Sequence, residues 1–236
     1  QLHYCLGLPR TCSSVIMNIL NENPRIFTTG TCCMPYFVEA CQKRSNEVSE
    51  FIALDKDVLE KSYINFLRQG MRGWYEAMTD KPIVFSKSRT WSEFLPHTFA
   101  IDPNSKYLVI LRDLRDIICS FDSVMWKYPQ VPYELNGIPL HQHPLETRME
   151  TYCTDTMSLL GRPLPLLPHL MEVAHKNPNS FFILRNEDFN EQPKETLQQI
   201  YQWLGEPNFE HDFDNIPKPD YYEHDTAYRA LVNHKT

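Results

Sequence analysis

The chain of 236 residues predicts an α/β protein, a three-layer sandwich in which helices flank a central, mostly parallel sheet. Three observations carry that expectation. Residues 2–7, 82–86, 107–111 and 181–185 are short and apolar, and so read as strands. Each is a continuous apolar run, the mark of a strand buried on both faces. Segments of helical spacing separate the runs, and that alternation is what parallel pairing requires.

Taken in order, residues 2–7 form a strand, 7–13 a loop and 13–22 a helix that Asn23-Pro24 closes. Residues 25–33 are a strand or loop, and 34–44 a helix. A long amphipathic helix is expected over 55–79, with Leu59, Tyr63, Phe66, Leu67, Met71 and Trp74 near one face. A strand at 82–86 precedes a short helix at 91–99. Tyr107-Leu108-Val109-Ile110-Leu111 is the clearest strand, and a helix follows over 114–126. Residues 127–145 are rich in Pro, His and Tyr without periodicity, which suits a lid or substrate loop. Helices at 146–160 and 164–176 lead to the strand Phe181-Phe182-Ile183-Leu184-Arg185. The last helix, 193–204, stops at Gly205 with Pro207 just beyond, and the tail from 208 is irregular. With no internal repeat, residues 1–236 are expected to be one domain with a sizeable core.

Hydrophobic and charged fractions of 42% and 22% suit a globular chain. A net charge of -7 argues against a general nucleic-acid binder. No apolar run is long enough to span a bilayer. The sequence starts at Gln1, directly before a strand, and its first residues do not read as a signal peptide. A cytoplasmic location is expected, or a lumenal catalytic domain if an N-terminal anchor was removed. Seven cysteines lack paired or metal-ligand spacing, so free thiols and no metal site are expected.

The segment from Tyr4 to Met17 is the most informative. A strand, a tight loop of small hydroxyl residues and a helix start bring backbone N–H groups and a helix dipole to one point. Thr11, Ser13 and Ser14 add hydroxyls and Arg10 a fixed charge. This P-loop-like unit suits a phosphate or sulfate ester. It departs from G-x-x-x-x-G-K-[ST], because counting from Gly7 puts Cys12 at the second glycine and Ser13 at the lysine. Cations also follow the other strands: Lys87 and Arg89 after the second, Arg112 after the third. Ligands of parallel sheets bind at those strand ends, and an anion would satisfy charges that are costly to bury alone. Arg112 can fork onto a phosphate, and Ser120 can add one hydrogen bond.

Together these segments resemble the sulfotransferases that use 3′-phosphoadenosine-5′-phosphosulfate (PAPS). Pro9-Arg10-Thr11-Cys12-Ser13-Ser14 corresponds to their 5′-phosphosulfate loop, P-[KR]-S-G-[ST]-[ST]. Arg112-Asp113-Leu114-Arg115-Asp116-Ile117-Ile118-Cys119-Ser120 corresponds to their 3′-phosphate motif. Val84-Phe85-Ser86-Lys87-Ser88-Arg89 matches the middle strand motif, and Arg185-Asn186-Glu187-Asp188-Phe189 to Pro193 the late R-Y-E-D-L-x-x-x-P element. The four matches fall in family order. Cys12 replaces a loop glycine, Leu114 a proline, Asn186 a tyrosine that often borders adenine, and Arg89 the catalytic His of the cytosolic branch.

The resemblance implies in-line transfer of a sulfuryl group from PAPS to a hydroxyl or amine, with no metal required. Arg10 and Lys87 would stabilise charge at the leaving 5′-phosphate and the sulfuryl oxygens. Thr11, Cys12, Ser13 and Ser14 would cradle the 5′-phosphosulfate, while Arg112 and Ser120 would hold the 3′-phosphate. The base is unassigned; Glu39, Glu76, His141 and His143 are the candidates. The acceptor is a small molecule, carbohydrate or peptide hydroxyl. The alternatives are a P-loop nucleotide kinase or NTPase, and a sulfotransferase-like protein that binds nucleotide or anion without turnover.

Overall fold

The computed structural model describes residues 1–127, 134–156 and 158–216. In chain order the elements are β1 (Leu2–Gly7), α1 (Ser13–Glu22), β2 (Ile26–Thr28), α2 (Met34–Glu47), α3 (Ser49–Ile52), α4 (Lys56–Glu76), β3 (Ile83–Lys87), α5 (Leu95–Ile101), β4 (Tyr107–Leu111) and α6 (Leu114–Lys127). They continue with β5 (Glu134–Leu135), β6 (Ile138–Pro139), α7 (Leu145–Thr154), α8 (Leu167–Lys176), β7 (Phe181–Arg185), α9 (Asn186–Glu191) and α10 (Pro193–Leu204).

Five strands pair in the order β2-β3-β1-β4-β7, all parallel. The chain leaves β1 toward β2 and β3 on one side, then crosses to β4 and β7 on the other. The carboxyl end of β1 is therefore the point where winding reverses, the place where such sheets bind ligands. Successive residues of a strand face opposite ways, so β1 feeds two cores. Tyr4 and Leu6 pack with Trp91, Val38, Met71 and Leu170 on one face. Cys5 packs with Ile16, Leu20, Phe85 and Tyr201 on the other. A third apolar cluster joins Leu8 to Ile117 and Phe121 of α6 and Tyr152 of α7.

Three expectations change in detail. The buried stripe of α4 is Leu67, Met71 and Tyr75, whereas Phe66 and Trp74 are exposed. Spacing of four residues keeps the first set on one line, and the other two lie about 100° to the side. The helix expected over 146–160 ends at Thr154, because the chain then turns back on itself: a Cβ at Gly161 would sit 2.3 Å from the carbonyl oxygen of Asp155. The short helix at 91–99 is a 3-10 turn, Arg89–Phe94, continued by α5. Part of the expected lid, 128–133, lies outside the described residues. The remainder contains the β5–β6 hairpin and a 3-10 turn, Leu140–Gln142. Among the described residues no helix is long and apolar enough to cross a membrane.

Candidate active site

The site grows from the end of β1. Gly7 has φ +133°, and a Cβ there would lie 2.3 Å from the carbonyl oxygen of Ile110 on β4. Only glycine lets the two strands close at this point. The chain then turns into α1 through two left-handed residues, Arg10 (φ 63°) and Cys12 (φ 59°). Cys12 is the N-cap of α1 and makes no side-chain capping bond. The helix start, with its positive dipole end, is left without the side-chain acceptor that a Ser or Asp cap supplies.

Cations flank this start on two sides. On one, Lys87 at the end of β3 donates its Nζ to Ser14 Oγ at 2.8 Å and to the Gly30 carbonyl at 2.6 Å. On the other, Arg10 Nε donates to Ser120 Oγ at 3.0 Å, and Arg112 Nη1 donates to the Arg10 carbonyl at 3.0 Å. Burial and the neighbouring Arg112 charge push the Arg10 guanidinium below its usual range. Arg112 Nε is buried with no hydrogen-bond partner among the described residues. Cations crowded this way favour an anionic ester as a ligand; Asp116 Oδ2 lies 3.8 Å from Arg112 Nη2 and is 56% exposed.

Across the sheet edge, Arg112 and Asn186 follow the paired residues Leu111 and Arg185. Asn186 is 3% exposed, and its Oδ1 has no partner among the described residues. Glu187 Oε1 accepts from the Asp113 N–H at 2.9 Å, which ties the ends of β4 and β7 and draws that carboxyl below its usual range.

The structure thus gathers Arg10, Cys12, Ser13, Ser14, Lys87, Arg112 and Ser120 around one helix start. Two placements differ from expectation. Thr11 is fully buried and its hydroxyl donates to the Leu8 carbonyl at 3.1 Å, so its side chain braces the loop from within. Arg10 and Ser120, expected at opposite ends of the donor, meet directly because the left-handed turn at Arg10 sends its side chain toward α6.

The base candidates separate. Glu76 lies on the outer face of α4, paired with Arg72 at 2.6 Å, while its neighbour Tyr75 points inward to Ser86. His141 packs edge-on against Trp126, and His143 Nε2 is 3.2 Å from the Leu135 carbonyl, so both brace the hairpin. Glu39 alone is carried to the residues that follow β3. Arg162 Nη2 lies 3.7 Å from it and forks onto Glu93, with Nε and Nη2 at 2.7 and 2.8 Å. Sequence reasoning missed this pair. Glu93 had a usable signal, six residues past Lys87 on the turn leaving a site strand; Arg162 had none, being distant in sequence.

A parallel sheet whose switch point gathers three cations around an uncapped helix start defines an α/β protein with a cationic strand-end site. A family profile described as the sulfotransferase family matches residues 4–211, and the chain belongs to that family. The fold agrees. The sulfotransferase domain from the curacin biosynthetic pathway superposes with TM-score 0.55 at 17% identity, covering 88% of this chain and 74% of that one. The sulfotransferase domain from the Synechococcus PCC 7002 olefin synthase superposes with TM-score 0.53 at 12% identity, covering 96% and 84%. Mouse sulfotransferase SULT7A1, complexed with PAP, gives TM-score 0.50 at 13% identity over 89% and 60%. No curated protein sequence matches the chain significantly.

Proposed function

We propose that this protein transfers the sulfuryl group of PAPS to a hydroxyl or amine of a small-molecule, carbohydrate or peptide acceptor, releasing 3′-phosphoadenosine 5′-phosphate (PAP). The observation that carries this reading is the convergence of Arg10, Lys87 and Arg112 on the uncapped start of α1. Backbone N–H groups at residues 12–14 and the Ser13 and Ser14 hydroxyls hold the 5′-phosphosulfate. Lys87 stabilises charge on the sulfuryl and leaving oxygens, and Arg112 with Ser120 holds the 3′-phosphate. Positioned charges of this kind supply most of the effect in the related phosphoryl transfers. Glu39 is the base, as the one candidate that lies beside the segment following Lys87. The chain acts as one domain. Ser13 at the position of the P-loop lysine and the family match set the kinase reading aside.

Thermal unfolding with PAP and with ADP tests the assignment. PAP at about 100 times Kd stabilises by about 2.7 kcal/mol, a midpoint rise on the order of 5–10 °C for a chain of this size. Arg112→Ala weakens PAP binding at least about tenfold, given roughly 1.5–3 kcal/mol for a hydrogen bond to a charged group, and leaves ADP binding nearly unchanged. Equal losses for both nucleotides refute the 3′-phosphate site.

A further inference from the structure

Resting on that reading, we propose that Arg162 is a positioning residue for sulfuryl transfer, acting through Glu39 and held in place by Glu93.

Three separate parts of the fold meet here. Glu93 lies on the 3-10 turn that leaves β3 immediately after Lys87 and Ser88. That turn is rigidly seated: Trp91 is fully buried with its Nε1 donating to Ser86 Oγ at 2.8 Å, and Phe94 is 6% exposed. Glu93 therefore keeps a fixed relation to the strand that carries Lys87. Glu39 lies on α2, which packs against the same turn. The loop entering α2 is tied to Lys87 as well, through the Gly30 carbonyl and through Thr29 Oγ1, which accepts from the Lys87 N–H at 2.8 Å. Arg162 comes from the turn after α7. Ser158 Oγ accepts from the Gly161 N–H at 2.7 Å and donates to the Tyr152 carbonyl at 2.8 Å, which fixes the backbone that presents Arg162.

The two carboxylates are held unequally. Glu93 receives both arms of the guanidinium, and its side chain is 23% exposed. Glu39 stands 3.7 Å from Nη2 and is 48% exposed. A bidentate fork fixes the plane of the guanidinium. The Nη2 that bonds Glu93 also faces Glu39 Oε1 at 3.7 Å and sets the direction of Glu39 by charge, while leaving its oxygens open to an acceptor proton. Glu93 offsets the charge of Arg162, so the pair orients Glu39 without placing a net cation against it. In the transfer step the acceptor oxygen bonds to sulfur as the bridging oxygen–sulfur bond breaks. The acceptor proton passes to Glu39, and the electron pair leaves on the 5′-phosphate of PAP.

A double-mutant cycle on the full chain tests this, with PAP release from PAPS as the rate, a readout that counts transfer to water. Arg162→Gln lowers kcat by about 10–100-fold, the scale of a misplaced catalytic group, with PAP affinity within about twofold of wild type. Glu93→Gln reproduces that pattern, and guards against a fold-specific failure of one variant. In Glu39→Gln the rate falls further, by about 10²–10⁴-fold, and adding Arg162→Gln to it costs nothing more. Multiplicative losses in the double variant overturn the assignment, because Arg162 then acts independently of Glu39. An unchanged kcat in both Arg162→Gln and Glu93→Gln overturns it equally. Failure of wild type to bind PAP, or PAP binding without release of PAP from PAPS, overturns the functional reading and this assignment with it.

Discussion

Cys12 shows the cost of building this site one residue at a time. The loop must turn left-handed there, and the side chain has a Cβ in the way, which costs about 1–2 kcal/mol. Cys12→Gly removes that strain and is expected to raise the thermal midpoint, with PAP affinity unchanged. Cys12→Val, β-branched and worse in this conformation, is expected to lower stability by at least about 1 kcal/mol. Differential scanning calorimetry of the two variants distinguishes them; equal and opposite-signed results to these remove strain as the account of this turn. At this scale much of the site was legible. Arg10, Lys87 and Arg112 each follow an apolar strand run, and in a parallel sheet all strands end on the same edge. The direction of a side chain was not legible. Thr11 reads like Ser13 and Ser14 in sequence, yet its hydroxyl turns inward to Leu8. That choice depends on backbone angles that no local pattern specifies.

Between elements, a network of charged hydrogen bonds joins α6 to α7 and the turn after the hairpin. Arg148, with its side chain 9% exposed, forks onto Asp122 at 2.8 and 2.9 Å. Its third arm donates to the His143 carbonyl at 2.7 Å, and Tyr152 OH donates to Asp122 at 2.9 Å. The Arg148 bond holds the Asp122 carboxyl below the usual carboxylate range. Removing one partner strands the other charge, so Asp122→Ala is expected to cost about 3–5 kcal/mol, read as a lower urea midpoint. Asp122→Leu combined with Arg148→Met removes both charges and recovers most of the loss. A loss below about 1 kcal/mol for Asp122→Ala would mean the pair behaves as an exposed one. Most helices and strands followed from spacing, because each apolar period matches one geometry; the β5–β6 hairpin and α3 carry no such period. The α4 stripe was misjudged at Phe66 and Trp74, where apolar residues sit beside the buried line, and Trp74 instead packs on Phe37 of α2 at 5.7 Å.

For the whole molecule, the first strand couples folding to pH. His3 is 3% exposed on β1, and burial pushes its pKa down to about 4. Its Nδ1 accepts from the Lys106 N–H at 3.2 Å, a bond that needs the neutral ring. Unfolded histidine protonates near 6.5, so between about pH 6.5 and 4 the unfolded chain binds the extra proton. Stability is therefore present above pH 6.5 and falls as pH drops through that window, by about 3 kcal/mol in all. His3→Gln keeps an acceptor without titrating, and is expected to flatten the urea-unfolding free energy measured from pH 7 to 4.5. A slope that survives in the variant assigns the effect elsewhere.

The β5–β6 hairpin and α3 escape a reading of local sequence; most other strands and helices, the parallel sheet and the row of cations at its strand ends do not. Those depend on hydrophobic period and on residues placed directly after strands, both of which are local. Which of the acidic candidates reaches the turn after β3 is set by packing between distant segments. Glu39 and Glu76 both read as helical carboxylates. Packing turns Glu76 to solvent beside Arg72, and brings Glu39 to an arginine 123 positions away in the chain. Contacts between distant segments carry no periodic signal, because what selects them is the shape of the two cores on either side of β1.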